Sequence, residues 1–347
     1  MEPVHHSEAR PRKDKMKILV TGGLGFIGLR LVQNLIDQGH EVHALGRTQN
    51  PPETKLIHGL HYHSHDLSSS VLLADWFQET DTVFHVAAKA GVGGRFTEYL
   101  DANVVSTEKL LEASKQAKVK RFIYTSTPSV VFTKLPIRNG KESLPYSTEN
   151  FSPYATTKAL AEKSVLRADE RSGMRTIALR PHLVWGAGDP HLLPRVIARH
   201  KARKFKIVGN GKNKVDLTHV DNVVHAHLCA LESMLLDPSL GGKSYFIGQD
   251  EPVFLWEWLN QIFSEIGLPI LEKSVSFKTA YQLGSIIEKI WGGLRIKSDP
   301  PMTRFVACQL AQDHWFSSEA AQKDLNYQPI LTMGQALEKT LPWFKSL

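Results

Sequence analysis

A tyrosine and a lysine stand four residues apart in the segment SPYATTKALAE, residues 152–162. The segment is typical of a helix that begins after a proline, and residues four apart on a helix share a face, with Cβ atoms about 5–6 Å apart. An ammonium group that close to a phenol favours the phenolate, because opposite charge stabilises the ionised form. Tyr154 and Lys158 are therefore a candidate acid–base pair, although both residue types are also common on helix surfaces.

The elements that would position this pair begin with residues 16–47, which have the order strand, glycine turn, helix, strand. Three glycines follow the first strand at three-residue spacing. One permits a tight turn, one lets the backbone approach a pyrophosphate, and one allows the helix to pack closely on the strand. The helix N-terminus offers free N–H groups and a positive dipole end to phosphate. This context predicts a dinucleotide site. Its expected residues are Gly22, Gly25, Phe26, Ile27 and Gly28.

The second strand, EVHAL, is followed by Gly46, Arg47 and Thr48. An enzyme that prefers NAD usually has an acidic residue near this position to bind the ribose 2′-hydroxyl, and the segment contains none. A guanidinium suits the 2′-phosphate of NADP instead, although Arg47 could also be a surface arginine. Asp66 and Leu67 follow the next strand and are expected near the adenine. The predicted cofactor is NADP in its reduced form, NADPH.

Further strands over 82–88 and 121–127 enclose a helix predicted over 97–117, which carries Asn103. Strands alternating with helices predict a parallel, doubly wound α/β sheet of the Rossmann type. Ligands then bind beyond the carboxyl ends of the strands. Ala87 and the hydroxyls that end the second of these strands are expected at this edge.

The length and composition set the domain organisation. The chain has 347 residues, of which 42% are hydrophobic, enough for a substantial core. We expect a flexible tail over 1–15, a Rossmann domain over 16–185, and a smaller substrate-binding lobe formed mainly by 186–347. Some segments of that last part are expected to return to the Rossmann sheet.

The net charge and the cysteine content limit which partners and which cellular compartment are expected. The formal net charge of +7 favours an anionic partner, but the basic residues are scattered, so we expect no nucleic acid. The first sixteen residues lack the apolar core of a signal peptide, and no run of eighteen apolar residues predicts a membrane span. Cys229 and Cys308 are expected to be buried free thiols in a reducing cytoplasm. The sixteen histidines lack cysteine or carboxylate partners at metal spacing, so no metal site is predicted.

Together, the motifs TGGLGFIG, NVVST, YTSTPSV and YATTK resemble the extended short-chain dehydrogenase/reductases, in their 3β-hydroxysteroid dehydrogenase branch. The segments AAKAGVGG, YTSTPSVV, ALRPHLVWGAGDPHLLPR and SFKTAYQLG are similar to bacterial 2-alkyl-3-oxoalkanoate reductases of olefin biosynthesis. That resemblance implies reduction of a long-chain 2-alkyl-3-oxo acid to the 3-hydroxy acid by NADPH. A 3β-hydroxysteroid or sterol-4α-carboxylate 3-dehydrogenase is the alternative activity. A non-catalytic nucleotide-sensing protein is the alternative of another class, and the retained tyrosine and lysine disfavour it.

The resemblance also assigns roles to individual residues. Tyr154 would donate the proton, and Lys158 would hold the nicotinamide ribose and favour the phenolate. The catalytic hydroxyl aligns with Thr127, and its neighbour Ser126 is the other candidate. Asn103 matches an asparagine that would position a water or the lysine, although Ser106 stands where the family has glycine. Two residues after the sixth strand would pack on the nicotinamide. These are Pro181 and Leu183.

The second half of the chain should cover the substrate. His191 and Arg195 stand at the start of a helix predicted over 191–205, and either could contact a substrate carboxylate; helix capping or a surface role is the alternative. Residues 278–296 place apolar side chains at helical spacing. Three functions remain open for this segment: a packed lid, a face for a pathway enzyme, or a peripheral lipid contact of a cytoplasmic protein. Trp256 and Trp258 are expected in the core, and the protein is expected to be a homodimer.

Overall fold

The computed structural model describes residues 15–68, 74–149, 152–249, 251–294, 296 and 298–347. The tail predicted over 1–15 therefore lies outside the described residues except for its last position. The strands are β1 Lys17–Thr21, β2 Glu41–Gly46, β3 Leu60–Ser64, β4 Thr82–His85, β5 Arg121–Thr125, β6 Ile137–Gly140, β7 Arg175–Pro181, β8 Ile207–Val208, β9 Lys214–Val215, β10 Lys243–Ile247, β11 Val253–Phe254, β12 Ser274–Val275 and β13 His314–Phe316. The α-helices are α1 Phe26–Asp37, α2 Phe96–Tyr99, α3 Ser106–Gln116, α4 Pro153–Arg167, α5 Leu192–Lys201, α6 Val220–Leu236, α7 Leu255–Glu265, α8 Phe277–Gly293, α9 Arg304–Ala311, α10 Glu319–Leu325 and α11 Met333–Lys345.

Seven parallel strands form the main sheet, in the order β3-β2-β1-β4-β5-β7-β10. The chain first builds outward from β1 through β2 and β3, and then crosses to β4 on the other side. Such a reversal leaves a crevice at the carboxyl ends of the two central strands, where ligands bind in sheets of this kind. The predicted doubly wound Rossmann-type fold is confirmed. The late strand β10 pairs with β7, so part of the C-terminal half returns to this sheet.

Helices cover both faces of the sheet, as parallel strands require. The central strands are almost entirely buried, and every residue of β7 is buried, including its two arginines. On one face, α1 contributes Leu31, Val32 and Leu35 to a core that it shares with α6 and α10. On the other face, α3 and α4 pack against the same strands. Both layers fix the strand ends, which carry the candidate site.

The remaining elements form the lobe. Strands β11, β9, β13 and β6 make a four-stranded sheet, and β12 pairs with β8. Trp256 and Trp258 are buried in the core of this lobe, beside Trp185, as predicted. Cys229 and Cys308 are buried and are not in a disulfide bond, which also agrees with the prediction.

Two helix predictions differ from the structure. The helix expected over 191–205 is shorter, because the chain leaves α5 at Lys201 and Arg203 takes a left-handed φ of 57°. The helix expected over 97–117 is interrupted by a π-helical turn over Leu100–Val105. Neither change shows in the hydrophobic spacing, because both depend on where the backbone hydrogen bonds go.

Candidate active site

The glycine turn between β1 and α1 is closely packed against the end of β4. Gly22 has a φ of +69°, and a Cβ there would lie 3.0 Å from the backbone N and Cα of Ala87. A Cβ on Gly28 would lie 2.1 Å from the carbonyl oxygen of Gly22. Glycine is therefore required at both positions. Because the N-cap residue is Gly25, no cap side chain competes for the first N–H groups of α1, which remain available to a phosphate.

The predicted cofactor residues follow successive strands of the sheet and therefore lie along one edge. Gly22 follows β1, Arg47 follows β2, Asp66 follows β3, Ala87 follows β4 and Pro181 ends β7. Phe26 and Ile27 open α1 beside the turn, and both are half-buried. These residues therefore line the crevice at the topological switch point, where a dinucleotide binds in sheets of this kind.

The adenosine end of the predicted site is formed by the residues after β2 and β3. Asp66 Oδ1 accepts hydrogen bonds from the backbone N and the hydroxyl of Ser68, at 2.9 and 2.8 Å. These bonds, and to a lesser degree the nearby guanidinium of Arg47, lower the pKa of the Asp66 carboxyl. Arg47 is exposed and Leu67 is buried. Arg47 is therefore exposed and lies within electrostatic range of Asp66.

The catalytic helix α4 begins at Pro153, as predicted, and buries its lysine. Lys158 is 1% exposed, whereas Tyr154 is half-buried. The Nζ of Lys158 donates a hydrogen bond of 2.6 Å to the carbonyl oxygen of Thr125, and it lies 4.0 Å from the ring centroid of Tyr124. The lysine is therefore held at the carboxyl end of β5, within the crevice.

Burial, rather than the charge of the lysine, dominates the proton affinity of this pair. Desolvation raises the pKa of Tyr154 to about 12, and hydrogen bonding with Thr127 opposes that rise. Desolvation also lowers the pKa of Lys158 to about 7, and the nearby Glu162 opposes that fall. The expectation that the ammonium favours the phenolate stays a prediction. A tyrosine that stays neutral at pH 7 is the form that can give a proton to a carbonyl oxygen.

The two candidate hydroxyls after β5 point in different directions. Thr127 has extended backbone angles, and successive side chains of an extended chain point to opposite sides. The Thr127 hydroxyl is the one that interacts with Tyr154. Ser126 instead donates a short hydrogen bond to the buried carboxylate of Glu162. The structure therefore supports Thr127 as the hydroxyl of the site, and it does not support Ser126 as a substrate contact.

Asn103 lies in the π-helical turn. Such turns insert one residue into the helical ladder and are frequent at functional sites. Ser106, which replaces the family glycine, begins α3 with an ordinary helical φ of −64° and a hydroxyl bonded to the carbonyl of Ala102 at 2.6 Å. The substitution therefore leaves the backbone helical.

The side chain of Asn103 connects β4 to the catalytic helix. Its Oδ1 accepts a hydrogen bond of 2.7 Å from the backbone N of Lys89. Its Nδ2 donates to the Lys89 carbonyl at 3.1 Å and to the hydroxyl of Thr157 at 3.0 Å. Thr157 lies between the tyrosine and the lysine of α4. These contacts support a positioning role for Asn103 through Thr157, rather than a direct contact with the lysine.

A buried hydrogen-bond chain beneath the site was not evident from the sequence. The Thr21 hydroxyl accepts from the backbone N of Ala87 at 3.2 Å and lies 2.7 Å from Nδ1 of His85. The Nε2 of His85 lies 2.8 Å from the hydroxyl of Thr107, which donates to the Asn103 carbonyl at 2.6 Å. Burial lowers the pKa of His85 to about 3. A neutral histidine that donates from Nε2 completes one continuous chain from β1 to the π-helical turn.

A buried ion pair lies behind the lysine. Glu162, one turn beyond Lys158 on α4, accepts hydrogen bonds from Arg180 Nε at 3.0 Å and Nη2 at 2.5 Å. It also accepts from the hydroxyls of Tyr146, at 2.7 Å, and Ser126. Glu162 is 0% exposed and Arg180 is 2% exposed. Glu162 could have been placed near Lys158 from the sequence, because the two residues are four apart on a helix. No local sequence feature pairs Glu162 with Arg180.

The segment after β7 has a strained backbone and is held by contacts with the lobe. Leu183 has a left-handed φ of 39°, which is uncommon for a residue with a branched side chain. The carbonyl of His182 accepts from the backbone N of Thr218 at 3.1 Å, and His182 Nε2 lies 2.7 Å from Nδ1 of His314 in β13. The lobe sheet thus holds the residues that are predicted to face the nicotinamide, including Pro181.

The two substrate candidates on the lobe have different surroundings. His191 is exposed at the N-cap position of α5, and its backbone N donates to Asp189 Oδ1 at 2.8 Å; the capping carboxylate is Asp189. The Nη1 of Arg195 donates to Asp299 Oδ2 at 2.5 Å. Both remain predictions as substrate contacts, and Arg195 has a partner that the sequence did not indicate.

Three histidines on β2 and β3 pack on one another. The rings of His43 and His61 stack with centroids 4.7 Å apart, and His43 Nδ1 lies 3.0 Å from His63 Nε2. Over the described part of the chain, no three His, Cys, Asp or Glu side chains are grouped so that they could hold a metal ion.

The arrangement fits a nicotinamide dinucleotide. The turn that admits no Cβ at Gly22 or Gly28 suits a diphosphate at the end of α1. The tyrosine, lysine and Thr127 hydroxyl suit proton transfer at the other end of the crevice. Comparison with known proteins agrees with this chemistry. Residues 19–279 match the sequence model of the 3-beta hydroxysteroid dehydrogenase/isomerase family.

Named relatives and a solved structure extend the comparison. A 2-alkyl-3-oxoalkanoate reductase of Stenotrophomonas maltophilia is 40% identical over 93% of this chain and 98% of its own length. A decarboxylating sterol-4-alpha-carboxylate 3-dehydrogenase of Mus musculus is 33% identical over 95% and 91%. The crystal structure of UDP-glucuronic acid 4-epimerase from Bacillus cereus in complex with UDP-glucuronic acid and NAD is 25% identical, covers 95% of this chain and 99% of its own, and superposes with a TM-score of 0.72. The chain therefore belongs to the 3-beta hydroxysteroid dehydrogenase/isomerase family and is an oxidoreductase that uses a nicotinamide cofactor.

Proposed function

We propose that this protein reduces a long-chain 2-alkyl-3-oxoalkanoic acid to the 2-alkyl-3-hydroxyalkanoic acid with NADPH. The observation that carries the proposal is the placement of Tyr154 and Lys158 one turn apart on α4, with the Thr127 hydroxyl after β5, in a chain that is 40% identical to a reductase named for that substrate. A sterol-4α-carboxylate 3-dehydrogenase is the second candidate, favoured by the 33% identity to the mouse enzyme.

The names of these two relatives describe the same functional unit. In each, a carboxylate stands on the carbon next to the carbon whose oxygen reacts. A simple 3β-hydroxysteroid lacks that carboxylate. We infer that the site takes a 3-oxo or 3-hydroxy acid, with an anionic group close to the reacting carbon and a large apolar remainder. The basic net charge of +7 agrees with an anionic substrate.

The chemistry of each residue follows from its contacts. The bound nicotinamide supplies the hydride. Tyr154 donates its hydroxyl proton to the substrate carbonyl oxygen, and Thr127 hydrogen-bonds the same oxygen as negative charge develops on it. Lys158, which the Thr125 carbonyl holds at 2.6 Å, would bind the ribose and stabilise the phenolate that remains. Asn103 keeps α4 in place through Thr157.

The NADP form of the cofactor is part of the proposal. Arg47 stands at the end of β2, where a guanidinium can pair with a 2′-phosphate. Its exposure to solvent and its electrostatic range to Asp66, at the predicted adenosine end, support this role. The glycine turn would hold the diphosphate, and Pro181 and Leu183 would face the nicotinamide.

The lobe supports a further, peripheral contact. Helix α8 buries only Ala280 and Gly284, and it exposes a row of aliphatic side chains. These are Leu283, Ile286, Ile290 and Leu294. None of the described helices has the length and apolarity needed to cross a membrane. We propose that this row meets a lipid surface that supplies the apolar substrate, with a pathway enzyme as the alternative partner. A homodimer is also proposed, and light scattering of the purified protein would test it.

Steady-state kinetics test the proposed reaction. Because 3-oxo acids lose CO₂ on standing, the stable 2-alkyl-3-hydroxy acid with NADP⁺ is the reference assay, beside reduction of freshly prepared oxo acid with NADPH. We expect the methyl ester to react poorly compared with the acid. Shortening both alkyl arms should raise KM steeply, since each buried CH₂ contributes about 0.8 kcal/mol. Faster turnover of a 3β-hydroxysteroid than of any acid would overturn the assignment.

A further inference from the structure

A short segment between α8 and α9, residues 298–301, crosses to two other parts of the molecule; we call it the strap. Its Asp299 accepts two hydrogen bonds through different oxygens. Arg195 Nη1, from α5, donates to Oδ2 at 2.5 Å, and the backbone N of Gly93 donates to Oδ1 at 3.0 Å. One carboxylate therefore connects the strap to the lobe helix and to the loop that follows β4.

Further contacts hold the strap in the same place. The Nη1 of Arg199, one turn after Arg195 on α5, donates to the carbonyl of Pro301 at 2.6 Å. The indole Nε1 of Trp291 donates to the carbonyl of Ser298 at 3.0 Å. A Cβ on Gly93 would lie 2.7 Å from the Cα of Asp299, so only glycine lets the strap approach this closely.

The strap contacts the loop after β4, which also reaches the candidate site. The buried hydroxyl of Tyr99 donates to the carbonyl of Gly93 at 2.7 Å. In the same loop, the backbone N of Lys89 donates to Asn103 at 2.7 Å. Burial chiefly raises the pKa of Tyr99 to about 12; the negative charge of Asp299 adds to the rise, and the positive charge of Arg195 opposes it. The ion pair is therefore connected to the candidate site through one loop.

In the Asp299–Arg195 ion pair, another carboxylate could replace that of Asp299. Its side chains are 52% exposed for Arg195 and 29% for Asp299. Exposed pairs of this kind hold together weakly, whereas a guanidinium binds any well-placed carboxylate, often through two parallel bonds. The relatives named above act on carboxylates next to the reacting carbon.

We propose that Asp299 determines specificity by occupying Arg195 until the carboxylate of the substrate takes its place. This inference rests on the proposed function. The exchange conserves charge, since one carboxylate replaces another on the same guanidinium and the released Asp299 side chain faces water. An ester or a ketone without the acid group cannot take the place of Asp299 on the guanidinium, so it gains no ion pair with Arg195 and binds more weakly.

Three variants test the exchange against the acid and its methyl ester, with NADP⁺ as oxidant. Asp299→Asn keeps an acceptor for Gly93 but removes the competing charge, so KM for the acid should fall about two- to fivefold. Arg195→Gln should raise KM for the acid at least about tenfold, since it removes a charged hydrogen-bond donor. The double variant should match Arg195→Gln, because without the arginine the aspartate has nothing to compete for.

The control is Asp313→Asn, which alters a carboxylate with the same pattern of contacts. Asp313 accepts from Arg138 Nε at 2.6 Å and from the backbone N of Lys214 at 2.8 Å, away from the site. It should leave the acid-to-ester ratio of kcat/KM unchanged. NADPH binding by fluorescence confirms that each variant is folded.

The outcomes separate the two proposals. If the wild type prefers the acid but Asp299→Asn leaves the KM ratio of acid to ester unchanged, the exchange is refuted and the proposed function stands. Equal KM increases for both compounds in Asp299→Asn would reduce the strap to a structural element and also refute the exchange. If the wild type turns over the ester as well as the acid, the oxo-acid assignment itself fails.

Discussion

Two ion pairs of the same chemical type, Glu162–Arg180 and Asp299–Arg195, differ in their access to water. The side chains of Glu162 and Arg180 are 0% and 3% exposed. Those of Asp299 and Arg195 are 29% and 52% exposed. The first pair is enclosed by α4 and β7 of the Rossmann half, and the second joins two parts of the lobe.

The difference separates rigidity from adaptability. A buried charge has no water to replace a lost partner, so the Glu162 pair fixes the helix that carries the tyrosine and the lysine. An exposed pair can break at little cost, so the strap can respond to a substrate. The buried pair therefore positions the catalytic residues rigidly, while the exposed pair can change partners during substrate recognition.

The largest effect is expected on the rigid side, from Tyr154→Phe. The substitution keeps the ring and removes the proton donor, so hydride transfer should fall by about 10²–10⁴-fold. NADPH should still bind in a fluorescence titration. The control is Tyr245→Phe, which loses a phenol bonded to Asp324 at 3.0 Å on the far strand β10 and should retain activity. Near-normal turnover of Tyr154→Phe would contradict the assignment of Tyr154 as the proton donor.

Glu162→Gln probes the buried pair itself. It leaves the Arg180 cation without a counter-charge, which costs about 3–5 kcal/mol, so the denaturation midpoint should fall markedly. Glu319→Gln is the matched control, because Glu319 pairs with Lys141 at 3.1 Å with both side chains exposed. That change should cost at most about 1 kcal/mol. Equal shifts in the two variants would show that burial does not distinguish the pairs.

The same variant should alter the pH dependence. In the fold the pKa of Lys158 is about 7, below its ordinary value of 10.5. Between these values the unfolded chain binds more protons, so this group makes stability rise as pH rises. Glu162 raises the pKa of Lys158, so its removal should lower that pKa further. The basic limb of the pH–rate profile should then move to lower pH, provided that activity needs the ammonium. An unchanged profile in Glu162→Gln would mean that Glu162 does not tune the lysine.

A smaller effect is expected from Arg47→Asp, at the exposed adenosine end. A 2′-phosphate would face a carboxylate, so kcat/KM for NADPH should fall about 10–100-fold, while that for NADH should change little. Steady-state kinetics with both cofactors check this expectation. If the wild type already prefers NADH, the assignment of NADP from the end of β2 is wrong.

Short-range features of this molecule were predictable. The glycine turn, the pair on α4 and the alternation of strands with helices follow from residues that are near one another in sequence, where spacing determines which side chains meet. Lys158 and Tyr154 could be paired because a helix brings residues four apart together. The core position of the two lobe tryptophans followed from their size and apolarity.

Long-range features were not predictable. Arg180 meets Glu162 only because β7 lies beside α4, and Asp299 meets Arg195 across 104 residues of sequence. The π-helical turn depends on the hydrogen bonds that Asn103 makes to Lys89 and Thr157, which belong to other elements. The raised pKa of Tyr154 was not predicted, for a related reason. Desolvation is set by the whole fold, whereas the sequence shows only the neighbouring charge.

The smallest effect is expected on the lobe side, from Leu294→Asp at the end of α8. Leu294 is 72% exposed, so the substitution cannot open a cavity. The helix is anchored by its other face, where a Cβ on Gly284 would lie 2.6 Å from the backbone of Thr303. If the aliphatic row meets lipid, Leu294→Asp should reduce binding to anionic vesicles and raise KM for long-chain acids more than for short ones. Gln282→Asp, also exposed on α8, adds the same charge without removing an apolar side chain and should act more weakly. Equal losses on long and short substrates would mean that α8 supports the lobe and plays no part in delivering lipid-like substrates, which would leave the strap as the adaptable element of the lobe.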